Sequence, residues 1–401
     1  MAFQLEGQGC TNFLVDERDD PILSLSNRLI NLTIPEGEPS IFTAVRYGDI
    51  RKIESEIAHN VDLNQTFEDD SYGVQASSMA HRVKLAGYSV IHLAAFHCTP
   101  EVFEMLLDSG ADKDAVDKQL RTPLHLAAIA GRTSIVKILI RRGAQIDVQS
   151  SSGRTPLLEA VFSDDSVLAS MLIEAGANID IQDTKGTSVL HHLCLHRRPN
   201  LIFLDYVLSK KCDVDITNPK GSTPLMFACA MKTHFSPKIV KLLLQYGAKI
   251  NQIDKDGHSA INFVVEHKSA FERTCIILLF LIQHGSSTTH IDKKGMTLLD
   301  FAMRNMSLGC MKCLLLSDIQ RDAKNIMENP NMLYLFERVP SFKEWLMDEL
   351  YTPRSLMRLC RQTVRSSLSS EGLLKVDQLD LPQDLQSFIY CKDIQLDKLV
   401  T

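Results

Sequence analysis

The chain is short of the features that mark secreted, membrane-spanning or nucleic-acid-binding proteins. It has no surplus of basic charge: 43 Lys and Arg stand against 49 Asp and Glu, a net charge of −6, so neither nucleic acid nor an anionic membrane is the expected partner. The opening Met1-Ala-Phe-Gln-Leu-Glu-Gly7 lacks the basic and apolar stretches of a signal peptide, and secretion is not expected. The longest apolar run, Cys275 to Ile282, falls well short of the roughly 20 residues that cross a bilayer and reads as buried helix. The ten cysteines are scattered. Cys229, Cys275, Cys310 and Cys313 fall on expected apolar helix faces, where a free thiol acts as a small hydrophobe. That pattern places the chain in a reducing compartment, the cytoplasm, with the nucleus also open to it. No glycine-rich phosphate loop or paired-carboxylate motif stands out, and neither a cofactor, a metal nor a catalytic residue is expected.

What is present is repetition. Seven segments align as Ser89-Val-Ile-His-Leu-Ala94, Thr122-Pro-Leu-His-Leu-Ala127, Thr155-Pro-Leu-Leu-Glu-Ala160, Ser188-Val-Leu-His-His-Leu193, Thr223-Pro-Leu-Met-Phe-Ala228, Ser259-Ala-Ile-Asn-Phe-Val264 and Thr297-Leu-Leu-Asp-Phe-Ala302. Their starts lie 33, 33, 33, 35, 36 and 38 residues apart. A second marker drifts in step: Gly110-Ala111, Gly143-Ala144, Gly176-Ala177, Lys211-Cys212, Gly247-Ala248 and Gly285-Ser286. Thr-Pro is a helix start, since proline has its φ already set and gives up an amide that would be unpaired anyway. The later glycine closes a second helix in the left-handed conformation. Polar turn residues such as Asp183-Thr-Lys-Gly186 then follow. An earlier unit, Pro39-Ser-Ile-Phe-Thr-Ala44, lies 50 residues before Ser89, which predicts an insertion around Gln65–Val83.

This pattern resembles the ankyrin repeat, a turn plus two helices at a period of 33. It predicts an all-α solenoid of about eight repeats over residues 36–320, after a non-repeat segment 1–35. Residues 321–350 are expected to form a helical cap, with Leu333, Leu335, Phe336, Phe342, Trp345 and Leu346 covering the last apolar face.

Beyond the cap, Thr352-Pro353 starts another expected helix. Leu356, Leu359, Cys360, Val364 and Leu368 fall on one face of it, with Arg354, Arg358, Arg361 and Arg365 mostly opposite. Such a stripe either packs on the cap or enters a partner's groove. Ser355-Leu356, then Cys360, then Val364 resembles the elongin C-binding motif that heads a SOCS box. Leu379-Asp-Leu-Pro-Gln-Asp-Leu385 is similar to the cullin-5-selecting part of that box, with Leu381 and Pro382 in place and Asp380 standing where the first proline is usual. Repeats followed by this box, at residues 351–396, resemble the ankyrin repeat and SOCS box protein family.

The resemblance implies a non-catalytic adaptor of a ubiquitin ligase. Elongin C, with elongin B, would grip Ser355, Leu356, Leu359, Cys360 and Val364. Cullin-5 with its RING protein would dock at Leu379, Leu381, Pro382 and Leu385, and the repeats would hold a protein substrate. The rival reading is an ankyrin scaffold whose tail helices only cap the array. Candidate substrate contacts are the turn residues Lys118, Leu120, Arg121, Arg154, Lys185 and Lys220. Leu120 occupies a tip where glycine is usual, and its side chain is either an anchor or an ordinary exposed apolar residue. His191-His-Leu-Cys-Leu-His196 invites a metal reading, but His191 lies within a repeat's first helix and no second ligand pair follows at finger-like spacing. His92 and His125 occupy the repeat's own histidine position, where an imidazole ties turns together. Cys360 lies in an apolar stripe without a nearby histidine base and is not read as a nucleophile.

Overall fold

The computed structural model describes residues 39–67, 73–75, 82–84, 87–196, 198–231, 236–266, 271–288, 290–305, 307–316 and 330–351. The chain divides into two compact units, Met1–Ala144 and Gln145–Thr401.

The first unit holds helices α1 (Ser40–Tyr47), α2 (Ile50–Ala58), α3 (Val90–His97), α4 (Pro100–Asp108), α5 (Pro123–Ile129) and α6 (Thr133–Arg141). Each unit of the sequence pattern becomes an antiparallel helix pair, and the two members have different duties. The first helix is short and buried all round: every residue of α3 from Val90 to Phe96 is buried. The second is amphipathic, with Ile135, Val136, Ile138 and Leu139 of α6 buried and Arg141 near its outer end. Thr122 and Thr155 sit at N-cap positions with proline as the first helical residue, as the Thr-Pro pattern predicts.

The described residues of the stretch inserted after the first pair are not helical. They contribute four short strands, β1 (Thr66–Phe67), β2 (Gly73–Gln75), β3 (Arg82–Lys84) and β4 (Tyr88–Ser89). Strand β1 pairs antiparallel with β4, and β2 with β3. Phe67 and Tyr88 from the paired strands meet Phe42 of α1, with ring centroids 5.5 to 6.0 Å apart. Phe42 stands where three of the later repeats carry histidine, at His92, His125 and His191. An aromatic cluster, with Tyr88 edge-on to both phenylalanines and favourable in geometry, replaces the hydrogen-bonded tie at that position.

The second unit holds α7 (Pro156–Phe162), α8 (Ser166–Glu174), α9 (Val189–Leu195), α10 (Leu201–Ser209), α11 (Pro224–Met231), α12 (Ser236–Gln245), α13 (Ala260–Glu266), α14 (Phe271–Gln283), α15 (Leu298–Arg304) and α16 (Leu308–Leu316). Second helices close in the expected way: Gly247 has φ 90°, and the following Ala248 amide reaches back to the Leu243 carbonyl at 3.0 Å. At the one pair where Lys211 replaces glycine, the lysine itself adopts φ 58°, a conformation costing about 1 kcal/mol for an L side chain. Cys229, Cys275, Cys310 and Cys313 are buried.

Helices α17 (Pro330–Arg338) and α18 (Pro340–Tyr351) follow. Met332, Phe336, Phe342 and Leu346 are buried, and Phe342 stacks on Trp345 at 5.4 Å with Lys312 of α16 over the Trp345 ring. Leu333 corrects one expectation: it points outward, 50% exposed. Helical geometry explains this, since Met332 and Phe336 at i and i+4 define the inward face and Leu333 lies a hundred degrees off it.

Candidate functional site

The turns between helix pairs carry most of the candidate contacts, and one local device shapes them. A side-chain oxygen at the first turn position accepts amides two and four residues on. Asp117 Oδ1 accepts from Gln119 and Arg121 at 2.9 and 2.8 Å, and Asp183 Oδ1 from Lys185 and Thr187 at 2.9 and 2.8 Å. Asn218, Asp254 and Asp292 repeat the arrangement. Such Asx turns hold the acceptor inward and turn the residues between outward. Glycine closes most of them, and it also closes the equivalent turn headed by Ser150, at Gly153 with φ 74°. There the closeness of the next turn also demands it, since an added Cβ would lie 2.6 Å from the Thr184 nitrogen.

The sequence candidates separate within this frame. Lys118, Lys185 and Lys220 are exposed on turns. Leu120 is 51% exposed and adopts φ 56°, the left-handed conformation that glycine takes in the equivalent turns. Arg121 is different: it is 9% exposed, and its Nη2 lies 2.6 Å from Asp117 Oδ2, with a further bond to Gln119 Oε1 at 3.0 Å. It braces its own turn.

Arg154 lies in the second unit, half-buried, with its guanidinium carbon 4.0 Å from the centroid of the Phe162 ring. Glu159 Oε2 lies 3.5 Å from its Nη1. Phe162 also meets His192 edge-on at 5.9 Å, and His192 Nε2 lies 3.8 Å from Asp183 Oδ2. Burial pushes the His192 pKa down to about 4 against the pull of Asp183. A stacked cation and a 38% exposed ring make a surface able to hold apolar or aromatic side chains. Sequence reasoning missed Phe162 and met His192 only within the metal reading it set aside; their repeat positions carry Ile129 and Leu126 or Glu159 elsewhere. It also passed over Lys255, Lys293 and Lys294, which a full alignment of the turns would have matched to Lys185 and Lys220.

The repeat histidines are structural ties. His92 Nδ1 lies 2.8 Å from Ser89 Oγ, and its Nε2 lies 3.0 Å from the Arg121 carbonyl. His191 repeats the pattern with Ser188 Oγ at 2.9 Å and the Ser222 carbonyl at 3.1 Å, which removes it from the metal reading. His125 caps its helix through Thr122 at 2.9 Å. Burial lowers the pKa of both His92 and His191. It pushes the Cys98 thiol up to about 12, so that thiol is inert. Among the described residues, Asp254, Asp256 and His258 bring three ligand-type atoms within 4.8 Å of one another, but Asp254 Oδ1 is occupied by two backbone amides. No helix of the described residues is long and apolar enough to cross a membrane.

Ser355, Leu356, Leu359, Cys360 and Val364, and with them Leu379, Leu381, Pro382 and Leu385, lie outside the described residues.

Stacked helix pairs with polar turn tips define a repeat protein that works by holding other proteins. The family model for ankyrin repeats matches residues 91–183 and 164–254, and that for the SOCS box matches residues 352–389. With both in one chain, this is a member of the ankyrin repeat and SOCS box proteins. No curated protein matches the chain. The two domains give it a substrate-recognition adaptor role for elongin–cullin ligases, in which the SOCS box binds elongin B/C and a cullin. Families of this composition are non-catalytic adaptors.

Proposed function

We propose that the chain is the substrate receptor of an elongin B/C–cullin-5–RING ubiquitin ligase, directing a bound protein to ubiquitination and proteasomal degradation. The observation that carries this reading is the SOCS-box match at 352–389, which spans every residue singled out for elongin C and cullin. Leu356 and Cys360 fill the elongin C pocket, a thiol being apolar and smaller than leucine. Leu379, Leu381, Pro382 and Leu385 face cullin-5. The repeats, over residues 36–320, hold the substrate, and the chain acts by proximity, raising the effective concentration of a target lysine near the charged ubiquitin-conjugating enzyme.

Helices α17 and α18 already bury Phe336, Phe342 and Leu346, as a terminal cap must. That supports the receptor reading over a scaffold whose tail serves only as a cap, since the segment from Thr352 onward is not needed for that task.

Co-purification tests it. The wild-type chain is expected to bring down elongins B and C, and Leu356→Ala combined with Cys360→Ala to lose both; failure of the wild type to capture elongin C sinks the proposal. Cullin-5 in the same eluate tests whether Asp380 is tolerated where proline is usual. Proximity labelling under proteasome inhibition, comparing wild type with the double variant, then identifies the substrate.

A further inference from the structure

Four consecutive turns of the second unit carry Lys185, Lys220, Lys255, and Lys293 with Lys294, all exposed. The turns are near neighbours. The Lys255 amide donates to the Lys220 carbonyl at 2.9 Å, and the Lys293 amide to the Asp256 carbonyl at 3.2 Å. A Cβ on Gly186 would come 3.2 Å from Asn218 Cα, so the first two turns also touch. Adjacent lysines on this ridge therefore lie within about a Debye length, roughly 8–10 Å at ordinary salt, and their fields add.

Compensating negative charge is turned inward. Asp183, Asp254 and Asp292 are buried, each with an oxygen accepting amides of its own turn. Of the acidic residues in these turns only Asp256 is exposed. Lys185, Lys255, Lys293 and Lys294 enter no ion pair among the described residues. A chain whose net charge is −6 thus presents a local ridge of the opposite sign along its turn tips.

We infer that this lysine ridge is the docking surface for an acidic polypeptide segment, so that the substrate class is a protein bearing a run of Asp or Glu. Charge complementarity selects the occupant. The ridge offers lysine point charges without arginine forks or aromatic side chains between them, and so lacks the stacking platforms of a single-strand nucleic-acid groove. Ammonium groups on flexible stems suit the carboxylates of an extended acidic peptide and give fast, salt-sensitive association. As a statement about substrate the inference rests on the receptor reading; as a statement about binding it stands alone.

The test uses the full chain co-purified with elongins B and C, titrated into a fluorescein-labelled polyglutamate peptide and followed by anisotropy. Binding is expected to weaken at least tenfold between about 50 and about 300 mM salt, and by a similar factor when Lys185, Lys220, Lys255, Lys293 and Lys294 are all changed to Glu. The corresponding all-Gln variant, weakened less, carries the test if the Glu variant loses its thermal transition. Absence of polyglutamate binding, equal affinity in wild type and the Gln variant, or tighter binding of a single-stranded oligodeoxynucleotide overturns the inference. Failure to capture elongin C, with polyglutamate binding intact in the chain alone, overturns the receptor reading and leaves the ridge standing.

Discussion

Arg121 lays its guanidinium along Asp117, Nη2 at 2.6 Å and Nε at 2.8 Å from the same carboxylate oxygen, while the other oxygen holds the turn's amides. Both side chains are buried, so the pair is shielded from solvent. Removing one partner strands the other as a buried charge, which costs about 3 kcal/mol or more. Arg121→Ala is therefore expected to lower the urea midpoint strongly. Lys185→Ala, on an exposed tip, is expected to stay within about 0.5 kcal/mol of wild type. Equal midpoints for the two variants would remove Arg121 from the structural role.

Leu120 and Gly153 occupy equivalent turn positions and should respond in opposite directions. Leu120 holds φ 56° with an exposed side chain, so Leu120→Gly releases about 1–2 kcal/mol of backbone strain, offset by roughly 0.5–1 kcal/mol of added chain entropy. The variant is expected to be as stable as wild type or up to about 1 kcal/mol more stable. Gly153→Ala puts a Cβ 2.6 Å from the Thr184 nitrogen at a φ that L side chains avoid, and is expected to cost about 2 kcal/mol. Denaturant midpoints decide both. A clear loss of stability in Leu120→Gly would show that the leucine is there for packing and not for a partner.

Much of the fold was legible because each repeat mark is a local instruction. Thr122-Pro123 sets a helix start, and Gly247 ends one, whatever surrounds them. What escaped was non-local. Polar composition around Gln65–Val83 did not reveal strand pairing between Thr66 and Ser89, because that register depends on contacts across the insertion. Leu333 could be assigned to the cap by composition, yet only the helix phase set by Met332 and Phe336 shows that it faces outward. At the candidate site, Lys185 and Lys220 were found from the turn pattern. The burial of Arg121 was not, because arginine at an exposed turn and arginine folded onto its own turn's aspartate read alike in sequence.

The histidine ties suggest a third stability test. His191 bridges Ser188 and the Ser222 carbonyl, linking α9 to the following turn. His191→Ala leaves a buried carbonyl unpaired and a hollow beside Phe227, whose ring lies 4.9 Å from the imidazole. A loss of about 2–4 kcal/mol is expected in chemical denaturation. A loss below about 1 kcal/mol would mean that the contact carries little of the repeat's stability.

Two other histidines make stability depend on pH. Burial, reinforced by Arg46 and Arg132, pushes the His97 pKa down to about 4, and burial lowers His192 to about 4 against Asp183. Both begin from 6.5. Below that value the unfolded chain takes up protons that the folded chain refuses, so stability is full above pH 6.5 and drains as pH falls toward 4. Each such shift corresponds to a few kcal/mol at most, at about 1.4 kcal/mol per pKa unit. Between pH 6.5 and 5 the loss comes ahead of the usual carboxylate range, which separates it from general acid denaturation. Urea midpoints of wild type are expected to fall over that interval, and those of His97→Asn to fall less. A profile that is flat in wild type, or equally steep in the variant, would show that His97 accepts its proton in the folded chain as readily as in the unfolded one.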